Sequence, residues 1–270
     1  MLAPTVLPAV IALCKQAGRA VLDIYQQGEV EVSRKDDDSP LTAADLAAHQ
    51  ILVAGLQTLI PGVPVLSEES ASVPWSERQL WSRYWLVDPL DGTKEFISRN
   101  GEFTVNVALI DNGVPVLGVV QVPTLDWTYA GVLSQGATVE KAGHTTRIRV
   151  APLLMGQPHV RVVASRNHRG DQLEGWLARV QQLFPQMELL SMGSSLKICL
   201  VAEGKADIYP RLAPTCEWDT AAAQAVLEAA GGLLVDVNDA VYRYNRKPEL
   251  LNPHFFAVGD NLAARALVLL

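Results

Sequence analysis

Cysteine is scarce in this sequence, whose 270 residues include only Cys14, Cys199 and Cys216. The three lie far apart, and their spacing matches neither a zinc site nor a redox-active pair. A disulfide framework is therefore not expected. Because unpaired thiols are typical of reducing compartments, the sequence predicts reduced cysteines in a cytoplasmic protein.

Long apolar runs are also missing, since none reaches the roughly 18 residues that a membrane-spanning helix needs. The stretch MLAPTVLPAVIALC has no Lys or Arg before its apolar part and meets Lys15 and Arg19 after it, the reverse of the order in a secretory signal. Its apolar residues follow helical spacing, which predicts an amphipathic helix packed on the protein. These residues are Leu7, Val10, Ile11, Cys14, Ala17, Val21 and Leu22. We expect any membrane association to be peripheral, on the inner face of the cell membrane.

Basic residues are outnumbered, with 22 Lys and Arg against 29 Asp and Glu and a net charge of -7. Binding to nucleic acid needs a clustered basic face. The sequence has no such cluster, so nucleic acid is not an expected partner. An acidic protein that handles phosphate needs a cation between its own carboxylates and the ligand. The hydrophobic content of 49% predicts a soluble globular protein with a sizeable core.

The apolar pattern changes near the middle of the chain. Between Tyr84 and Val150 strand-like runs predominate, and Asn112 and Gly113 between two of them predict a hairpin in an antiparallel sheet. From Val160 onward, strands and helices alternate as in α/β folds. The predicted elements there are a strand at 160–164, helices around 173–183 and 195–202, a strand at 206–209 and a helix at 220–230. We predict an N-terminal α+β domain, residues 1–152, and a C-terminal α/β domain, residues 153–270.

Four acidic residues stand at the ends of predicted elements, which is where open sites are usually built. Glu68 follows a short apolar strand, and Asp88 ends another strand. Asp91 lies one turn further, and Asp219 begins a helix. Each has an ordinary alternative: Glu68 could belong to a solvated loop, the next two could shape a turn, and Asp219 could be an N-cap.

Taken together, the four carboxylates favour a metal site. Carboxylates that converge without a cation repel one another, which raises their pKa values, and a divalent metal removes that conflict. All four side chains offer oxygen and none is His or Cys, which indicates a hard cation such as Mg²⁺ rather than Zn²⁺. Such a cluster can hold more than one ion, and a pair of ions can stabilise the attacking and leaving oxygens of a phosphoryl transfer.

The motifs around these residues resemble those of a known family. DPLDGT at 88–93, Glu68 in SEES twenty positions upstream of Asp88, and WDT at 218–220 are similar to the metal-dependent, lithium-sensitive phosphatases of the inositol monophosphatase superfamily. The similarity runs from about residue 35 to residue 252. It implies a layered α/β/α/β/α sandwich, in which the first half carries the main metal motif and the second half supplies Asp219.

The resemblance also implies the ligands of two or three Mg²⁺ ions. They are Glu68, Asp88, Asp91, Asp219 and the backbone carbonyl of Leu90. Apart from Asp88, these residues would also line the substrate site, where Gly92 and Thr93 would present backbone amides to the substrate phosphate.

Three residues are implied to be catalytic: Glu68, Thr93 and Asp45. The Thr93 hydroxyl, paired with Asp45, would help to activate the attacking water. Asp45 has an alternative role, since Thr42 and Asp45 form a capping-box pattern at the start of a predicted helix.

The residues after DPLDGT discriminate between substrates within the superfamily. Inositol monophosphatases typically continue with a small or polar residue and then Asn-Phe, whereas this chain has Lys94, Glu95 and Phe96. DPLDGTKEF, KDDDSPLTAADLAAH and WDTAAAQAVLEAAGG are similar to the bacterial 3′(2′),5′-bisphosphate nucleotidases. The resemblance implies hydrolysis of the 3′-phosphate of adenosine 3′,5′-bisphosphate to AMP and phosphate. An inositol or sugar phosphatase, or a non-catalytic metal- or nucleotide-binding regulator, is the alternative.

A nucleotide substrate needs further contacts from the second half of the chain. Ser165 and His168 follow a predicted strand in SRNH. GSSLK, which contains Gly193, Ser194 and Lys197, opens a predicted helix whose free amides suit an anion. Arg211 is a further candidate. As alternatives, Ser194 or Ser195 could simply cap the helix, His168 could be a lone loop histidine, and Arg211 could be an ordinary surface charge. We expect a monomer or a homodimer.

Overall fold

Two β-sheets run through the computed structural model, which describes residues 3–28, 32–34, 40–154, 156–164 and 170–270. A small antiparallel pair, β1 (Val32–Arg34) and β2 (Pro40–Thr42), precedes them. The larger sheet contains, in spatial order, β3 (Val65–Ser67), β4 (Arg83–Asp91), β5 (Thr104–Asp111), β6 (Val114–Val122), β7 (Trp127–Val132), β8 (Gly136–Lys141) and β9 (His144–Ile148). β3 pairs with β4 in parallel, and all the other neighbours in this sheet are antiparallel.

The smaller sheet is mixed. Its strands are β10 (His159–Ala164), β11 (Gln186–Ser191), β12 (Ile208–Arg211), β13 (Gly232–Asp236) and β14 (Phe255–Gly259). Their spatial order is β11-β10-β12-β14-β13. β10 is parallel to β11 and β12, whereas β14 is antiparallel to β12 and β13.

Helices cover both sheets and fill the space between them. They are α1 (Ala3–Gln26), α2 (Ala43–Leu59), α3 (Trp75–Arg78), α4 (Thr93–Ile97), α5 (Asp171–Leu183), α6 (Leu196–Ala202), α7 (Glu217–Ala229) and α8 (Leu262–Val268). α1 and α2 pack on one face of the larger sheet, and α6 and α7 lie between the sheets. α5 and α8 cover the outer face of the smaller sheet. This is the predicted layered α/β/α/β/α sandwich.

The first helix contributes to the core. By length and composition alone, Ala3–Gln26 is long and apolar enough to cross a membrane. In the fold, however, Val10, Cys14 and Val21 are fully buried on the face that packs against β5 and β6. The amphipathic packing predicted from the sequence is therefore present in the structure.

Most predicted elements of the second half exist, with shifted ends. The hairpin at Asn112 and Gly113 joins antiparallel β5 and β6, as predicted. The strand predicted at 206–209 lies at Ile208–Arg211, and the helix predicted from Thr220 begins at Glu217. That helix starts earlier because Cys216 is its N-cap. β11, β13, β14 and α8 were not predicted, since short elements give weak periodic signals.

The predicted domain boundary falls between β9 and β10, so each sheet lies on one side of it. α7, from the second half, nevertheless packs against strands β4 to β8 of the larger sheet. The division into two domains stays a prediction.

Two glycines allow α7 to approach the larger sheet closely. Gly118 and Gly131 are paired across β6 and β7. A Cβ on Gly131 would lie 2.7 Å from the Cα of Val226, and one on Gly118 would collide with the carbonyl oxygen of Ala222. Because both obstacles are helix backbone, neither can move aside cheaply. The small residues therefore fix the height of α7 above the sheet.

We predict that Gly118→Ala lowers the free energy of unfolding by about 2 kcal/mol, the cost of overpacking a filled core. Gly175→Ala is the matched control. Gly175 lies inside α5, and the nearest atom to an added Cβ is Arg179 Nη1 at 3.9 Å. This control should raise the free energy of unfolding by about 0.5 to 1 kcal/mol. Urea titrations of both variants measure the difference, and equal effects would contradict the packing argument.

Candidate active site

Strand pairing brings Glu68 next to Asp88. β3 and β4 run in parallel with Ser67 opposite Val87, so the residues that follow, Glu68 and Asp88, emerge side by side. The Glu68 carboxylate lies within electrostatic and hydrogen-bonding range of Asp88. Asp88 is 1% exposed, and its Oδ1 accepts a hydrogen bond of 3.0 Å from the amide of Leu90. That bond is the predicted turn contact, and it is compatible with a place in the cluster.

A bulge at the end of β4 redirects Asp91. The pairing of β4 with β5 shifts between Asp88 and Asp91, which lie opposite Asn106 and Thr104. Bulges of this kind re-aim side chains next to functional sites. Asp91 Oδ2 lies 3.4 Å from both Thr104 Oγ1 and Asn106 Nδ2. It also accepts a hydrogen bond of 2.5 Å from the amide of Ser195.

The first turn of α7 supplies Asp219 from the second half of the chain. Asp219 Oδ2 accepts a hydrogen bond of 2.8 Å from the amide of Cys216, in a capping box whose N-cap is Cys216. The N-cap alternative for Asp219 is therefore wrong by three positions. Because the cap occupies Oδ2, the carboxylate has a fixed orientation toward Asp88 and Asp91.

The three aspartates form a compact cluster in which Asp88 is buried and the other two are half-buried. One carboxyl oxygen from each of Asp88, Asp91 and Asp219 lies within 4.8 Å of the others. Burial raises the pKa of Asp88 well above its usual range, and repulsion from Glu68, Asp91 and Asp219 raises it further. Burial and the charge of Asp91 likewise raise the pKa of Asp219. An all-oxygen cluster with this much mutual repulsion is chemically suited to a hard divalent cation.

Asp45 caps α2 and also lies beside Thr93. Its Oδ2 accepts hydrogen bonds from the amide and the hydroxyl of Thr42, at 2.8 and 2.6 Å, which confirms the capping box. Its Oδ1 lies 3.4 Å from Thr93 Oγ1. Thr93 Oγ1 is also 3.2 Å from the carbonyl oxygen of Leu90. One carboxylate can therefore cap α2 and orient Thr93, because each role uses a different oxygen.

A cleft opens beside the aspartates, with an empty volume of about 600 Å³ that includes open solvent. Candidate residues from both halves of the chain line it. They are Asp91, Gly92, Ser194, Lys197, Arg211 and Asp219, which the cleft brings together. Gly92 adopts a φ of 93°, which suits glycine, at the start of α4.

The cations of the cleft are partly engaged by carbonyl groups. Lys197 Nζ donates to the carbonyl oxygens of Ser194 and Met192, at 2.7 and 3.3 Å. Burial lowers the pKa of Lys197 to about 8, against the opposing effect of nearby Asp91. Arg211 Nη2 donates to the carbonyl oxygen of Pro214. Within the described part of the chain, Arg211 Nε and Ser194 Oγ are buried without a hydrogen-bond partner, so both can accommodate a ligand.

The structure gives Gly193 a packing role. A Cβ on Gly193 would lie 2.8 Å from the carbonyl oxygen of Glu102 and 3.0 Å from Glu95 Cγ. Its small size therefore lets the segment before α6 approach the first half of the chain. That approach brings the Ser195 amide to Asp91, so this amide is not one of the free amides predicted to bind an anion. Ser165 and His168 lie outside the described residues.

Sequence reasoning missed the residues that support Asp91. Ser195 Oγ lies 2.9 Å from Thr104 Oγ1 and 3.0 Å from Asn106 Oδ1. Ser195 is the N-cap residue of α6, but its hydroxyl bonds to these strand residues and makes no cap hydrogen bond. The available signal was the polar side chains at Thr104 and Asn106, two apart on one face of a buried strand. Glu95 and Tyr209, also missed, line the cleft.

Comparisons with known proteins agree with this geometry. Residues 3–266 match the model of the inositol monophosphatase family. The chain is 49% identical over 250 residues to the 3′(2′),5′-bisphosphate nucleotidase CysQ of Salmonella typhimurium, covering 92% of this chain and 98% of the relative. It is 48% identical to CysQ of Escherichia coli K12, with the same coverage.

A solved structure is similar over nearly the whole chain. It is a crystal structure of CysQ from Bacteroides thetaiotaomicron, a bacterial member of the same family. The two share 42% sequence identity with a TM-score of 0.85, over 95% of this chain and 98% of the other. The chain therefore belongs to the inositol monophosphatase family of hydrolases.

Proposed function

We propose that this protein is a Mg²⁺-dependent phosphatase that hydrolyses the 3′-phosphate of adenosine 3′,5′-bisphosphate to AMP and phosphate. The observation that carries the proposal is the meeting of Asp88, Asp91 and Asp219 within 4.8 Å, beside a cleft that holds Lys197 and Arg211. The relatives named as 3′(2′),5′-bisphosphate nucleotidases support the choice of substrate.

Two or three Mg²⁺ ions would be held by oxygen ligands from both halves of the chain. The proposed ligands are Glu68, Asp88, Asp91, Asp219 and the carbonyl of Leu90. When bound, Mg²⁺ supplies positive charge to the phosphoryl oxygens and to the attacking water. The hydrogen bonds to Asp88, Asp91 and Asp219 hold these carboxylates in place before the cation arrives.

Thr93 and Asp45 would orient the attacking water. If the Thr93 hydroxyl donates a hydrogen bond to Asp45 Oδ1, its oxygen can accept a hydrogen bond from the water, and a proton lost by the water would pass through the hydroxyl to the Asp45 carboxylate. Asp45 keeps its orientation through the capping box. Glu68 completes the proposed catalytic group through its position beside Asp88. The amides of Gly92 and Thr93 are the proposed contacts for the phosphate.

The second phosphate of the substrate would meet Arg211, Lys197 and Ser194. Arg211 and Lys197 place positive charge in the cleft, and the partnerless atoms Arg211 Nε and Ser194 Oγ can donate to phosphate oxygens. Ser165, His168 and Gly193 stay proposed members of the same nucleotide site. We further propose a cytoplasmic protein, monomeric or homodimeric, with at most peripheral membrane contact.

The proposal predicts a clear order of substrates in a phosphate-release assay with Mg²⁺. Turnover of adenosine 3′,5′-bisphosphate should exceed that of inositol 1-phosphate, which has no second phosphate for the cationic part of the cleft, and that of fructose 1,6-bisphosphate, which has no nucleoside. A clear preference for either of the other two compounds would select the inositol or sugar phosphatase alternative. No phosphate release from any of them would favour a non-catalytic regulator.

Asp88→Asn should abolish activity while the fold stays intact. The amide oxygen retains the bond from Leu90 N, but the loss of one charged ligand cripples cation binding. The variant should also unfold at a higher temperature than the wild type in EDTA, because a neutral amide avoids the burial and repulsion that raise the pKa of Asp88, and should lose stabilisation by Mg²⁺. Asp111→Asn, at an exposed pair with Arg83, is the matched control. Activity near that of the wild type in Asp88→Asn would refute the site.

Replacing Thr93 tests the hydroxyl directly. Thr93→Val keeps the shape of the side chain and should lower kcat by about 100-fold, at the lower end for loss of proton-transfer assistance. Thr93→Ser keeps a hydroxyl and should stay within a few-fold of the wild type. Steady-state kinetics at saturating Mg²⁺ give both values. Equal rates for the valine and serine variants would remove Thr93 from the mechanism.

A further inference from the structure

A segment remote from the sequence motifs ties the two sides of the site together. We call residues 244–252 the strap. Its described backbone forms no helix and no extended strand, with one isolated bridge between Leu251 and Cys216. At one end, Tyr244 N donates to the carbonyl of Gly113 at 3.0 Å, which fastens the strap to the β5-β6 hairpin of the first half.

At its other end the strap runs along the residues that start α7. Glu217 N donates to the carbonyl of Leu250, and Asn252 N donates to the carbonyl of Thr215, both at 2.8 Å. Asn252 Nδ2 donates to the carbonyl of Cys216 at 2.6 Å. The strap therefore holds the three residues whose backbone leads into the first turn of α7, where Asp219 lies.

A buried arginine fixes the middle of the strap. Arg78, at the end of α3, is 2% exposed. Its Nη1 donates to Asn245 Oδ1 at 2.8 Å, its Nη2 donates to the carbonyl of Pro248, and its own carbonyl accepts from Asn245 Nδ2 at 2.5 Å. The guanidinium lies 5.0 Å from the centre of the Trp75 ring. Arg78 is therefore joined to the strap by three hydrogen bonds, two with Asn245 and one with Pro248.

The same hydrogen-bond network includes Glu217, two positions before Asp219. The backbone N of Asn245 donates to both carboxylate oxygens of Glu217, at 3.0 and 3.1 Å. Glu217 is 1% exposed. Buried charges such as Arg78 and Glu217 contribute little net stability compared with well-packed apolar side chains. Their hydrogen bonds are therefore more informative about position than about stability. These bonds join α3, through Asn245, to the first turn of α7.

From these contacts we infer that Arg78 is a positioning residue for the metal cluster, which it serves by holding the strap and thereby the first turn of α7. The inference rests on the proposed function, since it concerns Asp219 as a Mg²⁺ ligand. Asp219 is the cluster carboxylate supplied by the second half, so its distance from Asp88 and Asp91 depends on the contacts that fasten α7 to the first half. Mutation of a residue that orients a metal ligand without touching the metal typically lowers metal affinity 10- to 100-fold.

Two variants of this protein distinguish an effect of the strap on the metal site from an effect on general stability. Arg78→Lys keeps the positive charge but cannot reproduce the planar fork that reaches Asn245 and Pro248 together. Asn245→Gly removes the side chain that bonds to Arg78. It keeps the backbone amide that donates to the Glu217 carboxylate. Glycine also suits the φ of 52° at this position. The second variant therefore keeps the test valid if Arg78→Lys folds poorly.

Arg161→Lys is the matched control. Arg161 is a partly buried arginine of the smaller sheet that bonds both oxygens of Asp207 and the carbonyl of Gly204. Its replacement should cost stability without touching the strap. Thermal unfolding midpoints in EDTA and in a series of Mg²⁺ concentrations give a binding readout that needs no substrate. Phosphate release gives the Mg²⁺ concentration for half-maximal activity and the KM for adenosine 3′,5′-bisphosphate.

Both strap variants should require about ten-fold more Mg²⁺ for half-maximal stabilisation and activity, with KM unchanged at saturating Mg²⁺. The control should need the same Mg²⁺ concentration as the wild type, even if its thermal unfolding midpoint in EDTA falls as far as those of the strap variants. An unchanged Mg²⁺ requirement in the strap variants would overturn the inference and leave the proposed function standing. A wild-type protein that Mg²⁺ neither stabilises nor activates would overturn the proposed metal site, and the inference with it.

Discussion

Asp88, Asp91 and Asp219 hold carboxyl oxygens within 4.8 Å of one another, with Asp88 buried and Asp91 and Asp219 half-buried on the cleft, so their charges repel one another. A loose framework would relieve this repulsion by letting the side chains move apart. Here each carboxylate is fixed by a backbone amide, from Leu90, Ser195 or Cys216. The rest of the fold therefore has to keep the three carboxyl groups together, whereas a bound cation or a proton would remove the repulsion.

The two halves of the chain meet this requirement by close approach. Gly118 and Gly131 let α7 lie directly on the larger sheet, and Gly193 lets the segment before α6 reach Glu102. Both approaches bring part of the second half to the end of β4, where Asp88 and Asp91 lie. Small residues far apart in the sequence thus serve one geometric purpose. Any side chain at these positions would push the second half of the site away from the first.

The sequence identified the acidic residues that meet at the candidate site, but not the residues that support them. DPLDGT, SEES and WDT are local patterns, so Glu68, Asp88, Asp91 and Asp219 could be chosen before their meeting was known. The contacts of Ser195 with Thr104 and Asn106 join residues about 90 positions apart, and nothing local announces them. The hydrogen bond between Arg78 and Asn245 joins residues 167 positions apart. Contacts at such separations are set by topology, which local periodicity does not contain.

The ordinary and the functional alternatives for the acidic residues were not exclusive. A carboxylate has two oxygens, and Asp45 uses Oδ2 for the cap of α2 while Oδ1 faces Thr93. Asp219 uses Oδ2 for the amide of Cys216 and still belongs to the cluster. Sequence reasoning treated a cap as evidence against a site, although a cap fixes the carboxylate orientation that a site requires.

Charge balance would allow an acidic chain to bind the proposed doubly phosphorylated substrate. The net charge of -7 describes the whole surface, whereas the ligand meets only the cleft. Two Mg²⁺ ions carry as much positive charge as four carboxylates carry negative charge, so Glu68, Asp88, Asp91 and Asp219 would be neutralised with two ions bound. Lys197 and Arg211 then add positive charge on the same cleft. With one ion the cluster would stay negative and repel phosphate, which is the physical reason to expect at least two.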